Sequence, residues 1–262
     1  MWIWPFKPRR IGLVLGGGVS HGVAHIGVLK VIERYKIPID YIAATSSGAI
    51  VGALYAAGLE MHLIEELALH LHWRNLVKIS ILQKGMLTTR GVHDRLVEYL
   101  GDKEFKDLKT PFAVAATCLK QAEVCILDKG KVADAVAGSS AFPGFFLPLE
   151  IGQHLLVDGG VTGYQVPVDT AKKMGAKFII ASDVVPIFPV SHLPLDPIHV
   201  FERSANILMH KLALSQIYRA DILIQPQISE EDLWHLDESK ARRLISAGEG
   251  VALQALKKLR RD

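Results

Sequence analysis

The chain has 262 residues, half of them hydrophobic, with a formal net charge of +3 and a pI of about 8.8. This length and apolar content suit one large core better than two, so a single α/β domain is expected over residues 11–262. The basic residues are mostly spread along the chain, which argues against a dedicated nucleic-acid binder, and no nucleic-acid partner is expected.

Basic residues cluster only near the two ends of the chain, at Lys7, Arg9, Arg10, Lys257, Lys258, Arg260 and Arg261. The first cluster follows an apolar run that contains Trp2 and Trp4, so we interpret residues 1–10 as an N-terminal segment that contacts an anionic membrane surface. The run is too short for a secretory signal and precedes its basic residues. A cytoplasmic protein in peripheral contact with the inner face of the membrane is expected. The alternative is that both chain ends are simply solvated.

The two cysteines, Cys118 and Cys125, are too few for a disulfide framework and lack the spacing of metal ligands. In a reducing compartment both are expected to be thiols.

Predicted strands and helices alternate along the chain. Strands are predicted over residues 11–15, 41–45, 112–118, 123–127, 155–157, 178–183 and 222–225. Helices are predicted over residues 22–35, 47–57 and 168–174. Such alternation predicts an α/β fold whose mostly parallel sheet is covered by helices on both faces. In that architecture the chemistry collects beyond the carboxyl ends of the strands.

Three stretches fit the pattern less simply. Residues 60–86 have a helical spacing, and residues 186–197 hold four prolines, so both are candidate cap elements over a site. Residues 42–59 contain no charged residue and have the length of a weak transmembrane candidate. Their Ser, Thr, Gly and Ala content favours a strand, a tight turn and a buried helix instead.

Residues 44–48, with the sequence ATSSG, lie between a predicted strand and a predicted helix. The pattern G-x-S-x-G marks a turn that exposes a strained nucleophilic serine among small neighbours. Here Ala44 replaces the first glycine and Gly48 is kept, so both are expected to support the elbow. Ser46 is the predicted nucleophile and Ser47 the alternative. A turn that only caps the helix is the other interpretation.

The triplet Gly16, Gly17 and Gly18 also lies between a predicted strand and a helix. A phosphate-binding loop is poorly supported, because no Lys-Ser/Thr pair follows Gly22 and the dinucleotide pattern fails at His21. The backbone amides of the triplet are instead expected to face the oxyanion of a tetrahedral intermediate. The alternative is a tight turn without chemistry.

Asp158 follows a predicted strand and precedes Gly159 and Gly160, which place its carboxylate on a tight turn. It is the predicted base, and partial burial should raise its pKa above the usual value near 3.9. The alternative is an Asx turn that only stabilises its own backbone. Histidines are the more common partners of a catalytic serine, and the candidates here are His21, His25, His154, His192 and His199.

The three motifs together are more specific than any one of them, and in this order the chain resembles the patatin-like phospholipases. The matching blocks are residues 16–29, 43–58, 139–143 and 158–169. The resemblance implies a three-layer α/β/α fold and hydrolysis of acyl esters of lipids or lysolipids. It further implies a dyad of Ser46 as nucleophile and Asp158 as base, an oxyanion hole from the glycine triplet, and no catalytic histidine, metal or cofactor.

The chain departs from that pattern at Ala44, at His21, where the family usually has Arg or Lys, and at residues 162–165, which are one residue longer than common. Two alternatives therefore stay open. One is a Ser-His-Asp esterase that uses one of the histidines. The other is a catalytically weak lipid-binding or regulatory protein of the same fold.

Overall fold

The computed structural model describes residues 10–70, 78–79, 87–186, 196–228 and 233–257. The strands in these residues are β1 (Ile11–Leu15), β2 (Tyr41–Ala44), β3 (Lys78–Ile79), β4 (Leu87–Thr88), β5 (Phe112–Cys118), β6 (Glu123–Leu127), β7 (Leu149–Ile151), β8 (His154–Asp158), β9 (Phe178–Ser182) and β10 (Ile222–Ile224). The α-helices are α1 (Ala24–Arg34), α2 (Ser46–Ala56), α3 (Met61–Leu69), α4 (Arg90–Leu100), α5 (Val132–Ser139), α6 (Val168–Met174), α7 (Pro197–Ile217) and α8 (Glu238–Lys257).

Eight strands form one mixed sheet in the order β10-β9-β1-β2-β5-β8-β7, and β6 also pairs with β5. The strands from β10 to β5 are parallel to one another, and Leu13 at the centre of β1 pairs with Ile42 on one side and Ile180 on the other. Strands β6 and β8 run antiparallel to β5, and β7 runs antiparallel to β8. The predicted α/β fold with its mostly parallel centre is confirmed, and an antiparallel end is added to it.

Helices cover both faces of the sheet. Leu13 and Leu15 belong to the larger apolar core, which they share with α1, α2 and α8. Val14, which points the other way, belongs to a second core with residues of α6 and α7. Every residue of β1 is buried, as expected for a central parallel strand between two helical layers. The predicted three-layer arrangement is therefore present.

Helices α1 and α8 pack with their backbones in contact. A Cβ at Gly27 would collide with the carbonyl of Ile245, and a Cβ at Gly248 would collide with the carbonyl of Ala24. The two glycines therefore allow this close approach. It anchors the start of α1, which follows the glycine triplet after a 3-10 turn over Val19–Val23.

The strand that carries Asp158 runs against the expected direction. We expected all three motifs at the carboxyl ends of parallel strands, but β8 is antiparallel to β5, and Asp158 pairs with Ala116. Ala116 lies on β5 two residues past Val114, the partner of Ala44. The end of β8 therefore reaches the carboxyl edge of β2 from the opposite direction. This geometry brings the motifs together without the predicted parallel pairing.

The two candidate cap elements are only partly described. Within residues 60–86, helix α3 confirms the helical spacing up to Leu69, and residues 71–77 and 80–86 lie outside the described residues. Within residues 186–197, residues 187–195 lie outside them, and Pro197 begins α7 instead of ending an irregular stretch. The predicted N-terminal segment lies outside them as well, except for Arg10.

Cys118 and Cys125 form a disulfide in this structure, with their Cα atoms 5.7 Å apart. The register of β5 and β6 pairs Ala116 with Cys125 and Cys118 with Glu123, so the cysteines occupy diagonal positions on one face of the hairpin. The expectation of two thiols is therefore wrong for this structure. Their spacing along the chain did not reveal this register.

Residues 42–59 form most of β2, the turn after it and the whole of α2, and they pack into the larger core. The expected strand, turn and buried helix are thus confirmed. In the part of the chain that the structure describes, we find no helix with the length and apolar character needed to cross a bilayer.

Candidate active site

Ser46 is the first residue of α2 and follows the end of β2 directly. Its φ of 53° is in the left-handed region, whereas the preceding Thr45 is extended. A side chain at such a φ is strained, and strained serines of this kind are typical of a nucleophile elbow. The neighbouring Ser47 has a buried hydroxyl with no hydrogen-bond partner among the described residues. Ser46 is thus the residue that the turn presents.

Small residues make this turn sterically feasible. A Cβ at Gly48 would collide with the carbonyl oxygens of Leu15 and Gly16, so the first turn of α2 lies against the end of β1. Ala44 is fully buried, and a Cβ added at Gly52 would lie 3.4 Å from its methyl group. The methyl group of Ala44, which replaces the usual elbow glycine, is thus packed in the core beneath α2.

Asp158 ends β8 and lies next to Ser46. Its Oδ1 accepts a hydrogen bond of 2.9 Å from the amide of Gly160, and a side-chain hydrogen bond joins it to Ser46. Burial raises the pKa of the Asp158 carboxyl to about 6, while the bonds from Gly160 and Ser46 act in the opposite direction. A carboxylate with a pKa near neutrality is a better proton acceptor than an ordinary aspartate.

Ser139, at the end of α5, is hydrogen-bonded to the backbone of the turn that carries Ser46. Its Oγ accepts a 2.8 Å bond from the amide of Ser46 and donates a 2.7 Å bond to the carbonyl of Ala115. Two residues later, the carbonyl of Ala141 accepts a 3.1 Å bond from the amide of Asp158. The segment that resembled a family block therefore positions both members of the pair. Reasoning from residue types alone gave Ser139 no role.

Two of the three backbone amides of the glycine triplet already donate hydrogen bonds within the protein, so they are not available to bind an oxyanion. Gly16 donates to the carbonyl of Ser182, and Gly17 donates to the carbonyl of Gln165, both at 2.9 Å. Within the described residues, the amides of Gly18 and Val19 have no main-chain acceptor. Of the three predicted donors, only Gly18 has an amide without a main-chain acceptor in the described residues, so the oxyanion hole stays a prediction for Gly18 and the adjoining Val19. The bonds from Gly16 and Gly17 hold the loop in place.

Val19, which our sequence analysis missed, lines the cavity beside Ser46. Its φ of 49° is unusual for a β-branched residue, and such strain is often found at functional sites. The backbone of Gly17 lies close to Ser46, because a Cβ at Gly17 would be 3.2 Å from the Cβ of Ser46. A side chain at Gly17 would therefore crowd the nucleophile.

Most of the candidate histidines have other partners. His25 is fully buried, and its ring nitrogens lie 2.8 Å from the carbonyl oxygen of Gly16 and 2.9 Å from the hydroxyl of Ser182. Burial lowers its pKa to about 4, so it is neutral at physiological pH and serves to hold the loop. His154 lies beside the Cys118 sulfur, and His199 beside Asp196.

Two histidines remain to be placed. His192 lies outside the described residues. His21 is buried in the 3-10 turn that follows the glycine triplet, and a Cβ at Gly18 would lie 3.6 Å from its Cβ. Of the five candidates it is the one in the turn that follows the glycine triplet, and the triad alternative is tested there.

The one group of three potential metal ligands in the described residues is Cys118, Cys125 and His154. The two sulfurs are joined in the disulfide, so neither is a thiolate that could bind a metal. The group is also separate from the Ser46–Asp158 pair.

A cavity of about 380 Å³ begins at Ser46 and runs along α2. Its walls are mostly apolar, with Ile50, Val51 and Leu54 from α2 and further residues from α3 and α4. Phe142, Phe146 and Trp234 lie in the same lining. Its polar residues at the surface between α3 and α4 include Glu66 and Arg95. An apolar cavity that ends at a serine is suited to a chain-like apolar group.

Comparison with known proteins supports this assignment at the level of the family. The sequence model of the patatin-like phospholipases matches residues 13–172. The chain is 31% identical over 184 residues to the patatin-like phospholipase domain-containing protein ZK370.4 of Caenorhabditis elegans, covering 67% of this chain and 14% of that protein. It is 31% identical over 182 residues to lysophospholipase NTE1 of Candida albicans, with coverages of 67% and 13%. The chain thus spans about a seventh of these relatives.

Solved structures give the same fold at low sequence identity. VipD from Legionella pneumophila has a TM-score of 0.55 at 14% identity, covering 96% of this chain and 67% of that one. The type III effector protein ExoU has a TM-score of 0.53 at 11% identity, with coverages of 97% and 53%. The family match extends from β1 through α6 and includes both Ser46 and Asp158. The chain belongs to the patatin-like phospholipase family.

Proposed function

We propose that this protein is a serine hydrolase that cleaves the fatty-acyl esters of lipids through a dyad of Ser46 and Asp158. The observation that carries the proposal is the hydrogen bond between these two side chains at the inner end of an apolar cavity. A serine hydroxyl needs a partner that accepts its proton, and the buried carboxylate is in place to do so.

The reaction follows from the positions of these groups. Asp158 accepts the proton of Ser46 as the hydroxyl oxygen attacks the ester carbonyl carbon, and the amides of Gly18 and Val19 bind the oxyanion that forms. Collapse of this intermediate breaks the ester bond, the alcohol leaves with the proton, and the acyl group stays on Ser46. A water molecule then gives a proton to Asp158 as its oxygen attacks the acyl carbon. When this second intermediate collapses, the bond between the acyl group and Ser46 breaks, Asp158 returns the proton to the Ser46 oxygen and the fatty acid leaves.

The substrate class follows from the cavity and from the relatives. An acyl chain fits between α2, α3 and α4, because the walls there are apolar over the length of α2. Several relatives are named lysophospholipases. We therefore propose lysophospholipids and phospholipids as substrates of this chain.

A direct activity measurement tests the proposal. The purified chain should hydrolyse p-nitrophenyl butyrate and lysophosphatidylcholine, and Ser46→Ala should abolish both activities without unfolding the protein. Ser47→Ala is the matched control and should keep most of the activity. Full activity in Ser46→Ala would overturn the assignment.

The same variants separate the hydrolase from a catalytically weak lipid-binding protein. Ala44 was a reason to consider the latter, but its methyl group is fully buried in the core and Ser46 keeps the left-handed conformation of a nucleophile elbow. A binding protein would retain lipid but release no fatty acid from either substrate.

We propose that the protein acts in peripheral contact with a membrane from the cytoplasmic side, with residues 1–10 as one contact. Vesicle sedimentation tests that segment by comparing the full chain with a chain that starts at Ile11, and equal binding by the two would exclude residues 1–10 as a membrane contact.

The disulfide bears on the compartment, because disulfides are rare in the cytosol. Alkylation of the protein inside cells, followed by mass measurement, should show two modified cysteines if the compartment is reducing.

A further inference from the structure

The outer face of α7 carries an exposed apolar stripe. Ile198, Leu208 and Leu212 are 61%, 64% and 56% exposed. Phe201 is 46% exposed and its ring also reaches back to the turn at Gly144, while Ala205 is partly buried against the cluster of Phe142 and Met209. The spacing of three and four residues places the exposed side chains of Ile198, Phe201, Leu208 and Leu212 on one side of the helix. Monomeric proteins seldom leave such a strip facing water without a function.

The inner face of α7 rests on the turns around Asp158. A Cβ at Gly160 would collide with the methyl group of Met209, and Gln216 donates a 2.9 Å bond to the carbonyl of Gly163. Near its other end, a Cβ at Gly144 would lie 2.6 Å from the ring of Phe201. The helix thus contacts the turn after the base and the turn after the Ser139 segment. Its outer stripe is the exposed surface next to these turns.

Basic residues predominate along the stripe itself. Asp196 caps the start of the helix beside Ile198 and pairs with His199, and within α7 the only acidic residue is Glu202, which is buried. Lys211 is exposed and adjoins Leu212, and Arg203 is half-buried. Beyond the helix, Arg219 pairs with Asp169, and Lys172 bonds to the Arg219 carbonyl. An apolar strip with basic neighbours is the pattern of a helix that lies in the headgroup region of an anionic bilayer.

We propose that the outer face of α7 is the surface through which this protein docks on an anionic lipid bilayer. The choice of a bilayer as the occupant rests on the proposed function, since a lipid ester must be taken from a membrane. The apolar side chains enter the boundary between headgroups and acyl chains, and Lys211 reaches the phosphates. Docking on α7 places the turns of Asp158 beside the bilayer.

Vesicle sedimentation of the full chain tests the proposal. All proteins carry Ser46→Ala, so binding is read without hydrolysis and does not depend on the catalytic assignment. The double variant Ile198→Ser/Leu208→Ser should bind vesicles of phosphatidylcholine and phosphatidylglycerol about tenfold more weakly, because two leucine-sized side chains no longer enter the bilayer. Lys211→Gln should weaken binding to these vesicles and leave binding to pure phosphatidylcholine unchanged.

The matched control is Leu63→Ser. Leu63 is 42% exposed on α3, beyond the end of α2 opposite to Ser46, and its substitution should not change binding. Each serine substitution on α7 is also measured singly, because a single exposed change preserves the fold. Three results would overturn the proposal: unchanged binding by the double variant, an equal loss in Leu63→Ser, or a wild-type dimer that the double variant converts to a monomer. The last would identify the stripe as an interface between copies.

Discussion

At the scale of single residues, the left-handed conformation of Ser46 links stability to function. A non-glycine residue at a φ of 53° costs roughly 1–2 kcal/mol relative to a relaxed one. Ser46→Gly should therefore be more stable to urea than Ser46→Ala by about 1 kcal/mol, although both are inactive. Equal stability of the two variants would show that the turn relaxes when the hydroxyl is removed.

The pH dependence follows from the Asp158 carboxyl. Its pKa is raised to about 6 by burial, and only the ionised form accepts the proton of Ser46. Activity should therefore be low below pH 5, rise through a midpoint near pH 6 and level off above it. A pH profile of kcat/KM on p-nitrophenyl butyrate measures this midpoint. A rise that is already complete at pH 4 would mean that the carboxyl is not buried during catalysis.

At the scale of elements, the end of α5 positions Ser46, the proposed nucleophile, through Ser139. Removal of its hydroxyl leaves the amide of Ser46 and the carbonyl of Ala115 without their buried partner, at a cost of about 1–3 kcal/mol. Ser139→Ala should lower kcat much more than it changes KM.

Ser140→Ala is the control for that change, because the Ser140 hydroxyl, just past the end of α5, donates to the carbonyl of Val136 in the last turn of that helix. It should lower kcat far less than Ser139→Ala does. Equal losses in the two variants would contradict the positioning role.

Helix α2 also sets the length of the cavity. Leu54 lines it eight residues after Ser46, which corresponds to about 12 Å along a helix. Leu54→Trp should therefore block long acyl chains, so that activity on p-nitrophenyl palmitate falls at least tenfold more than activity on the butyrate. Leu54→Met conserves the volume and should keep the preference for chain length. If Leu54→Trp affects both esters equally, the acyl chain does not lie along α2.

The elements that the sequence pattern predicted well are those with a local signal. The strand and helix around Ser46, the helix from Val168 and the strand from Phe178 were found within a residue or so, because their apolar runs end at glycine or serine turns. The direction of β8 and the pairing of Cys118 with Cys125 were not found, since both depend on the register between strands. The helix α7 was missed because its outer face is apolar, which obscures the usual periodicity.

At the site itself, residue types predicted Ser46 and Asp158 but not which surrounding backbone amides and carbonyls are hydrogen-bonded to one another. The amides of Gly16 and Gly17 are taken by carbonyls from residues more than a hundred positions away. No local pattern shows which amide of a glycine run stays free. The same limit applies to Ser139, whose two bonds join β5, α5 and α2.

At the scale of the whole molecule, the site is assembled from segments that are distant in the chain. Strand β1 brings the glycine loop, β2 brings Ser46, and the antiparallel β8 brings Asp158 to the same edge of the sheet. This explains why a chain that covers a small part of its relatives can hold both candidate catalytic residues. We propose that in this arrangement Ser46 and Asp158 act as a dyad without histidine.

The most direct test of that claim is the rate and site of labelling by a fluorophosphonate, followed by mass spectrometry in the wild type, Asp158→Asn and His21→Ala. We expect the adduct on Ser46 in the wild type and in His21→Ala at similar rates, and a loss of at least a hundredfold in Asp158→Asn. If Asp158→Asn were labelled at the wild-type rate while His21→Ala was not labelled, the result would contradict the dyad and establish the triad instead.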